Sequence, residues 1–332
     1  MTVQTMQATR PTSPFVEPWR PTPRGTLITA LVIALVVILS VVTVVVQRIW
    51  FTPESVITGY YRALADRDAE KALSFGRGSA PLDLLGSDKY VPPTNLKVGK
   101  IETGQDSDGK KSDDDRTAQL SFTIGDQQLT GRIDLHRSNQ LSWGLFRGWD
   151  LSGDRPAITV NSSSPAKVQV NGQVVPPGDD GAARVEVFPG RYVVGIADNP
   201  LIEAEPVTVV AGFGDSSADL TPQIKADAKT AVDKQVKAYL NGCRTAALKP
   251  NNNCPFSVDS DVSHPVWRID AFPTIALRIA DDGQVVAESS TEGKATLTGV
   301  GYGGYPVNDP TSFRVSGLVN VEQGAIKFQP EE

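Results

Sequence analysis

The residues in this chain whose types and spacing could do chemistry are few. The only two cysteines are Cys243 and Cys254, and the segment between them ends in the turn-prone triplet Asn251-Asn252-Asn253. In an oxidising compartment such a pair reads as a disulfide. Closing that loop would stabilise the fold by about 3 kcal/mol in the chain-entropy treatment. Two buried free thiols are the alternative. A zinc site would need further ligands, and the nearest histidine is His264. Asp134 and His136 stand two apart in an alternating run and would share one face of a strand, as an acid–base couple or as a surface pair. Ser164-Pro165-Ala166-Lys167 spells S-x-x-K, an acyl-transfer motif, without its companions S-D-N and K-T-G. The acidic stretch Gly104–Arg116 invites a calcium reading, but in an EF-hand frame opening at Asp106 Lys110 and Lys111 occupy the fifth and sixth positions. A solvated hairpin loop is the expectation there. Gly301-Tyr302-Gly303-Gly304-Tyr305-Pro306 puts Tyr302 and Tyr305 on a glycine-rich connection. Aromatics in that setting are not needed for a core and form the favoured binding element. The chain contains no G-x-x-x-x-G-K-[ST], H-E-x-x-H or G-x-S-x-G, so no catalytic residue, cofactor or metal is expected.

The elements that must position these residues follow from periodicity. Val56, Ile57, Tyr60, Tyr61, Leu64 and Ala65 form one helical stripe, and Asp66–Asp68 supplies a break and an N-cap for a short helix over 69–74. Strands are expected at 96–103, 117–124, 128–137 and 140–151, with hairpin turns at Gly125-Asp126 and Ser138-Asn139. Short strands separated by Asn171-Gly172, Pro176-Pro177-Gly178 and Pro189-Gly190 read as a small β-sandwich over 155–220. A helix over 222–248, with Val232, Val236, Tyr239 and Leu240 on one side, precedes strands at 266–270, 274–280, 285–289, 295–301, 313–321 and 325–329. The helices at 55–73 and 231–249 align with each other, which predicts two copies of one α+β plan.

The compartment is set by an uncharged apolar run, Thr26–Val46, which at ~1.5 Å per residue would extend ~31 Å. It is longer than the apolar core of a secretory signal and ends without an A-x-A-like site. Arg10, Arg20 and Arg24 precede it, and Arg48 alone follows, which places the N-terminus in the cytoplasm. Arg24, Arg48 and Trp50 are the expected membrane-interface residues. Residues 1–25 carry five prolines and read as a disordered cytoplasmic tail. The net charge is −6; the tail holds +2 and Arg48 +1, leaving −9 on residues 49–332. That balance argues against a nucleic-acid partner.

The pattern Tyr60-Tyr61-x-Ala63-Leu64, Asp68, Ala72-Leu73 and the order of helices before a meander resemble NTF2-like (cone-shaped α+β) modules over residues 53–151. VQVNGQVV followed by FPGRYVVGI resembles PEGA-type β-domains. The whole is similar to single-pass envelope proteins of bacteria, actinobacteria among them. It is distantly similar in module order to the teicoplanin-resistance-associated membrane protein family, whose members act at the cell wall but begin with a cytoplasmic zinc ribbon absent here. The expected fold is therefore an α+β multi-domain ectodomain, two helix-plus-antiparallel-sheet NTF2-like modules flanking a small β-sandwich, on one transmembrane helix. The expected divisions are a tail at 1–25, a transmembrane helix at 26–48, an NTF2-like module at 53–153, a β-sandwich at 155–220 and a second α+β module with the disulfide at 222–332. The expected function is a membrane-anchored extracytoplasmic binding or scaffolding protein of the bacterial envelope. Its partners would be the lipid bilayer through residues 26–48 and an envelope protein or wall component. The alternatives are a small-molecule-binding or enzymatic NTF2-like cone, and an envelope-stress regulator signalling through the helix.

Overall fold

A computed structural model describes residues 23–76, 83–105, 109–142, 146–164, 166–177, 182–246, 253–258 and 261–331. The tail expected to be disordered falls almost wholly outside them. The chain divides into two compact units, residues 1–52 and 53–332.

The first unit contributes one helix, α1 (Pro23–Trp50), of 28 residues. Proline opens it at a position where the missing N–H costs nothing. Ser40 Oγ donates to the Val36 carbonyl at 2.7 Å, which keeps its hydroxyl satisfied within the helix. Side chains are described from Ile28 to Val42 and at Val45, and every large apolar one is between 47% and 68% exposed. No face of that stretch is packed. Among the described residues no helix is long and apolar enough to cross a membrane; the continuous stretch of α1 with described side chains is about four turns.

The second unit begins with α2 (Pro53–Ala65), α3 (Ala69–Leu73) and α4 (Asp83–Gly86). Of the predicted stripe Ile57, Tyr60, Tyr61 and Leu64 are buried and Val56 is half-buried; Ala65 is exposed, and Ala63 is buried in its place. Asp68 caps α3 by accepting from the Lys71 amide at 3.0 Å. An antiparallel sheet follows in sequence order, β1 (Thr94–Gln105), β2 (Lys111–Ile124), β3 (Gln127–Ser142) and β4 (Phe146–Ser152). β5 (Ala157–Ser162), β6 (Val168–Val170), β7 (Gln173–Val175), β8 (Ala183–Glu186), β9 (Gly190–Ile196), β10 (Ile202–Glu203), β11 (Val207–Ala211), β12 (Ser216–Leu220) and β13 (Gln223–Ile224) come next. They form sheets ordered β11-β9-β6-β7 and β12-β5-β8, and the pair β10-β13. The helix α5 (Ala226–Ala246) then precedes β14 (Ser263–Ala271), β15 (Ile275–Ile279), β16 (Val285–Ser289), β17 (Gly293–Val300), β18 (Pro306–Phe313), β19 (Ser316–Glu322) and β20 (Ala325–Pro330). These make two sheets, β14-β17-β18 and β15-β16-β19-β20.

Two apolar clusters hold this unit. One runs without interruption from Ile57 to Leu220, the other from Leu201 to Val319, and Ile196 packs against both. A polar turn locks the first. Asn171, at φ 50° and 6% exposed, accepts from the Val193 amide at 2.9 Å and donates to the Leu84 carbonyl at 3.3 Å. Tyr90 donates to the Pro189 carbonyl at 2.8 Å, and its ring lies where a Cβ on Gly190 would come within 2.2 Å. Glycine is required there for the ring to approach.

The fold expectation is overturned. The structure is mostly β, 49% strand against 23% helix, in six small sheets, and is not two helix-plus-sheet NTF2-like modules on a transmembrane helix. Three causes are visible. The sheet β1–β4 shares its apolar face with the sheets of 155–220 and does not wrap helices alone. The strand β18, expected as irregular chain, pairs with β17 over eight residues and gives the last part a second sheet, so one helix meets two sheets. The predicted repeat of one plan therefore does not hold. Lastly, β12 pairs in parallel with β5, some sixty residues earlier, a contact that no local pattern encodes.

Two smaller differences matter for the site. Lys111–Arg116, read as loop, is the first half of β2, and Ser138-Asn139, read as a turn, lies within β3.

Candidate functional site

The strand β4 pairs with β3 only from Asp134 onward, because the chain turns away after Ser152 through Gly153, which has a positive φ of 101°. Below that point the inner side of β3 is covered by the loop after β11. A Cβ on Gly131 would come within 2.4 Å of the Phe213 ring, so the bare backbone is what lets Phe213 seat. A cleft of about 330 Å³ results between β3, α2 and the segment 151–156. Tyr60, Tyr61 and Phe213 line its apolar side. Behind them Phe122 joins the rings into a row: Tyr60 with Tyr61 (5.2 Å between centroids), Tyr61 with Phe122 (5.1 Å) and Phe122 with Phe213 (4.9 Å). Ile133, Leu151 and Ala72 complete that wall. Ser152, Asp154 and Arg155 supply the polar side, and Arg132 and Asp134 border it from β3.

Arg155 is the unusual member. Its guanidinium lies over the Phe188 ring at 5.1 Å, and its Nη1 is buried without a hydrogen-bond partner among the described residues. The flanks fix it in place. The Val187 amide donates to the Pro156 carbonyl at 2.8 Å, and the Ala157 amide donates to Asp215 Oδ1 at 3.1 Å. Burial raises the Tyr60 hydroxyl above the usual phenol range, with the Arg155 charge opposing the shift, and burial does the same to Tyr61. Both phenols stay protonated at any physiological pH and are able to donate. A protonated phenol and a guanidinium are donors, and neither is a base or a nucleophile in that state.

The solvent face of the same sheet carries a second, polar groove of about 410 Å³, lined by Glu102, Thr117, Gln119, Arg132 and Asp134. The two residues expected to couple here do not. Asp134 accepts from Thr117 Oγ1 at 2.6 Å, while His136 Nδ1 lies 2.8 Å from Asp115 Oδ1, its partner across the β2–β3 ladder. The hydrogen bond from His136, followed by one from Ser112, holds the Asp115 carboxyl below its ordinary range.

The other expected residues are placed as follows. Cys243, in the last turn of α5, and Cys254 are brought together in a disulfide, with an S–S distance of 2.15 Å. It fixes the start of the segment in which Phe256 packs on Trp267 at 4.8 Å and on Phe313 at 5.1 Å. Tyr302 and Tyr305 sit on a tight hairpin between β17 and β18, closed by the Gly301 amide donating to the Tyr305 carbonyl at 2.8 Å, and are 96% and 75% exposed. Arg24, Arg48 and Trp50 are helical in α1, and their side chains lie outside the described residues. Ser164 Oγ accepts from the Ala166 amide at 3.2 Å in a local turn, which is not the setting of a nucleophile. Part of the acidic stretch, 106–108, lies outside the described residues, and no group of three metal-ligating side chains converges among those described.

Sequence reasoning passed over Arg155. In G-D-R-P it has no periodicity or motif to mark it, and Tyr60 read simply as core. Only the packing of three separate segments brings them to one cavity. No protein-family model, curated protein or solved structure matches the chain.

Proposed function

We propose that this chain is a binding or scaffolding protein of a bacterial cell envelope, held at the membrane through residues 26–48, with residues 50–332 outside the cytoplasm. The observation that carries the reading is α1. Over Ile28–Val42 it exposes Leu, Ile and Val on every side, and a helix apolar all round has no stable place in water. A lipid bilayer is the partner that would cover it. The arginine bias, three before the run and one after, sets the direction. The Cys243–Cys254 disulfide suits an oxidising space outside the cytoplasm. The binding element is the β17–β18 hairpin. Two tyrosines exposed on a glycine-closed hairpin tip offer broad contact area to an envelope protein or a wall component.

The test is alkaline extraction of membranes from expressing cells, run on the full chain and on a variant lacking 26–48. The full chain stays with the membrane and the deletion variant is released. Release of the full chain would overturn the reading.

A further inference from the structure

The proposal above makes the β17–β18 hairpin the binding element and names two kinds of partner for it. Resting on that reading, we infer that the hairpin takes an uncharged glycan chain, with Tyr302 and Tyr305 stacking on the C–H faces of its sugar rings.

Four observations carry this. The first is display. Tyr302 is 96% exposed and Tyr305 75%, more than any other large apolar side chain among the described residues. Gly303 and Gly304 both have positive φ, 81° and 84°, and a Cβ on Gly303 would come within 3.2 Å of the Tyr305 ring. The bare backbone there lets that ring lie alongside the turn. The second is charge. Residues 295–308, bounded by Lys294 and Asp309, are fourteen in a row without a charge, in a chain of which 21% is charged. A charged polymer finds no counter-charge on this hairpin, and a neutral one needs none. The third is the state of the sheet edges. Pro306 and Pro310 share one parity in the β17–β18 register and take two donors from the outer edge of β18. Pro265 falls in the irregularity between Ser263 and Val266 on β14. Strand addition by a peptide is obstructed on both sides, so the partner is held by side chains and not by a main-chain ladder. The fourth is the chemistry of the tip. Over residues 300–307 it carries no Trp, Phe, Leu or Ile and no cation, the residues with which a surface segment enters a lipid interface. Tyrosine combines a flat apolar ring with a hydroxyl. A sugar ring has the same two parts, a C–H face and a hydroxyl rim. Asn308, exposed on β18, adds an amide able to donate and accept.

The test is saturation-transfer NMR of the full chain in micelles of dodecylphosphocholine, a detergent without sugar. The probes are chitotetraose, laminaritetraose and maltotetraose, with tetragalacturonate as the charged counterpart. At least one neutral tetramer binds saturably with a dissociation constant of about 1 mM or lower, and saturation falls on its ring C–H protons. Tetragalacturonate binds at least about tenfold more weakly than that tetramer. Tyr302→Ala and Tyr305→Ala each weaken binding about threefold to tenfold while far-UV circular dichroism stays native. Tyr302→Phe keeps the ring and weakens binding less than about twofold. Three results would each overturn the inference: no saturable binding of any neutral tetramer, equal or tighter binding of tetragalacturonate, or binding untouched by both alanine substitutions. Its failure and that of the reading it rests on are separable. A protein crosslinked through position 302 in cells, with no tetramer bound, would overturn the glycan and leave the hairpin as the binding element. Release of the full chain by alkali would overturn the anchor and leave a glycan-binding hairpin.

Discussion

Residues 53–220 and residues 222–331 are both strand-rich, but they are held together in different ways. The first stretch packs three helices and three sheets around one apolar cluster, in which Leu64, Leu85, Tyr90, Phe122 and Leu135 are among the side chains with less than 2% exposure. It closes on a buried polar turn at Asn171 and a tyrosine at Tyr90. The second packs one helix on two sheets and adds a covalent bridge. The comparison teaches where function can sit. Dense packing in the first stretch holds the Arg155 guanidinium over the Phe188 ring at 5.1 Å beside a cleft. The smaller stapled core buries Phe256, Trp267 and Phe313 and displays Tyr302 and Tyr305 on a hairpin outside it.

The sharpest way to break this comparison is to damage one core and watch the other. Leu64 is fully buried in the first cluster, and Leu64→Ala should cost about 2–5 kcal/mol. Hydrogen exchange should rise across α2 and β1–β4 while α5 is little affected. Equal loosening of α5 would mean that the two clusters act as one. Next in size is the bridge. Replacing Cys243 and Cys254 by serine should cost about 3 kcal/mol, seen in urea denaturation, and the loss should centre on α5 and the Phe256 contacts. The smallest effect concerns the β2–β3 ladder. Asp115 is held below its ordinary range by His136, so its contribution is present above the unfolded carboxylate pKa, near 4, and is lost as pH falls through the lower folded value. Both side chains are partly exposed, so Asp115→Asn should cost no more than about 1 kcal/mol at neutral pH. The difference from the parent should vanish in acid. A difference that grows in acid would contradict the assignment.

Much of the secondary structure was legible. The stripes on α2 and α5 follow the helical period, and Ile57, Leu64, Val232 and Leu240 are buried as that period requires. Alternation found most strands. It failed where charge was taken to mean loop, at Lys111–Arg116. One face of that sheet is open to water, and a strand there tolerates Asp113 and Asp114. It failed again at Ser138-Asn139, where polar residues continue β3 through an irregularity between the pairs Arg137–Trp149 and Leu141–Arg147. The fold class failed for a different reason. Which sheets share a core is decided by contacts such as β5 with β12, and these leave no local trace. The candidate sites divide in the same way. Tyr302 and Tyr305 were visible because aromatics on a glycine-rich connection have no role in a core. The pairing of His136 with Asp115, and the cleft at Arg155, depend on register and packing alone.

The central claim is that the chain presents a binding hairpin outside the cytoplasm, and it is tested most directly by photocrosslinking in intact cells. A photoreactive residue is placed at Tyr302, with the same residue at Val174, 55% exposed on the first stretch, as the control. The account predicts a discrete adduct with an envelope protein or wall fragment from position 302 that is absent from position 174. No adduct at 302, or the same adducts from both positions, would contradict it.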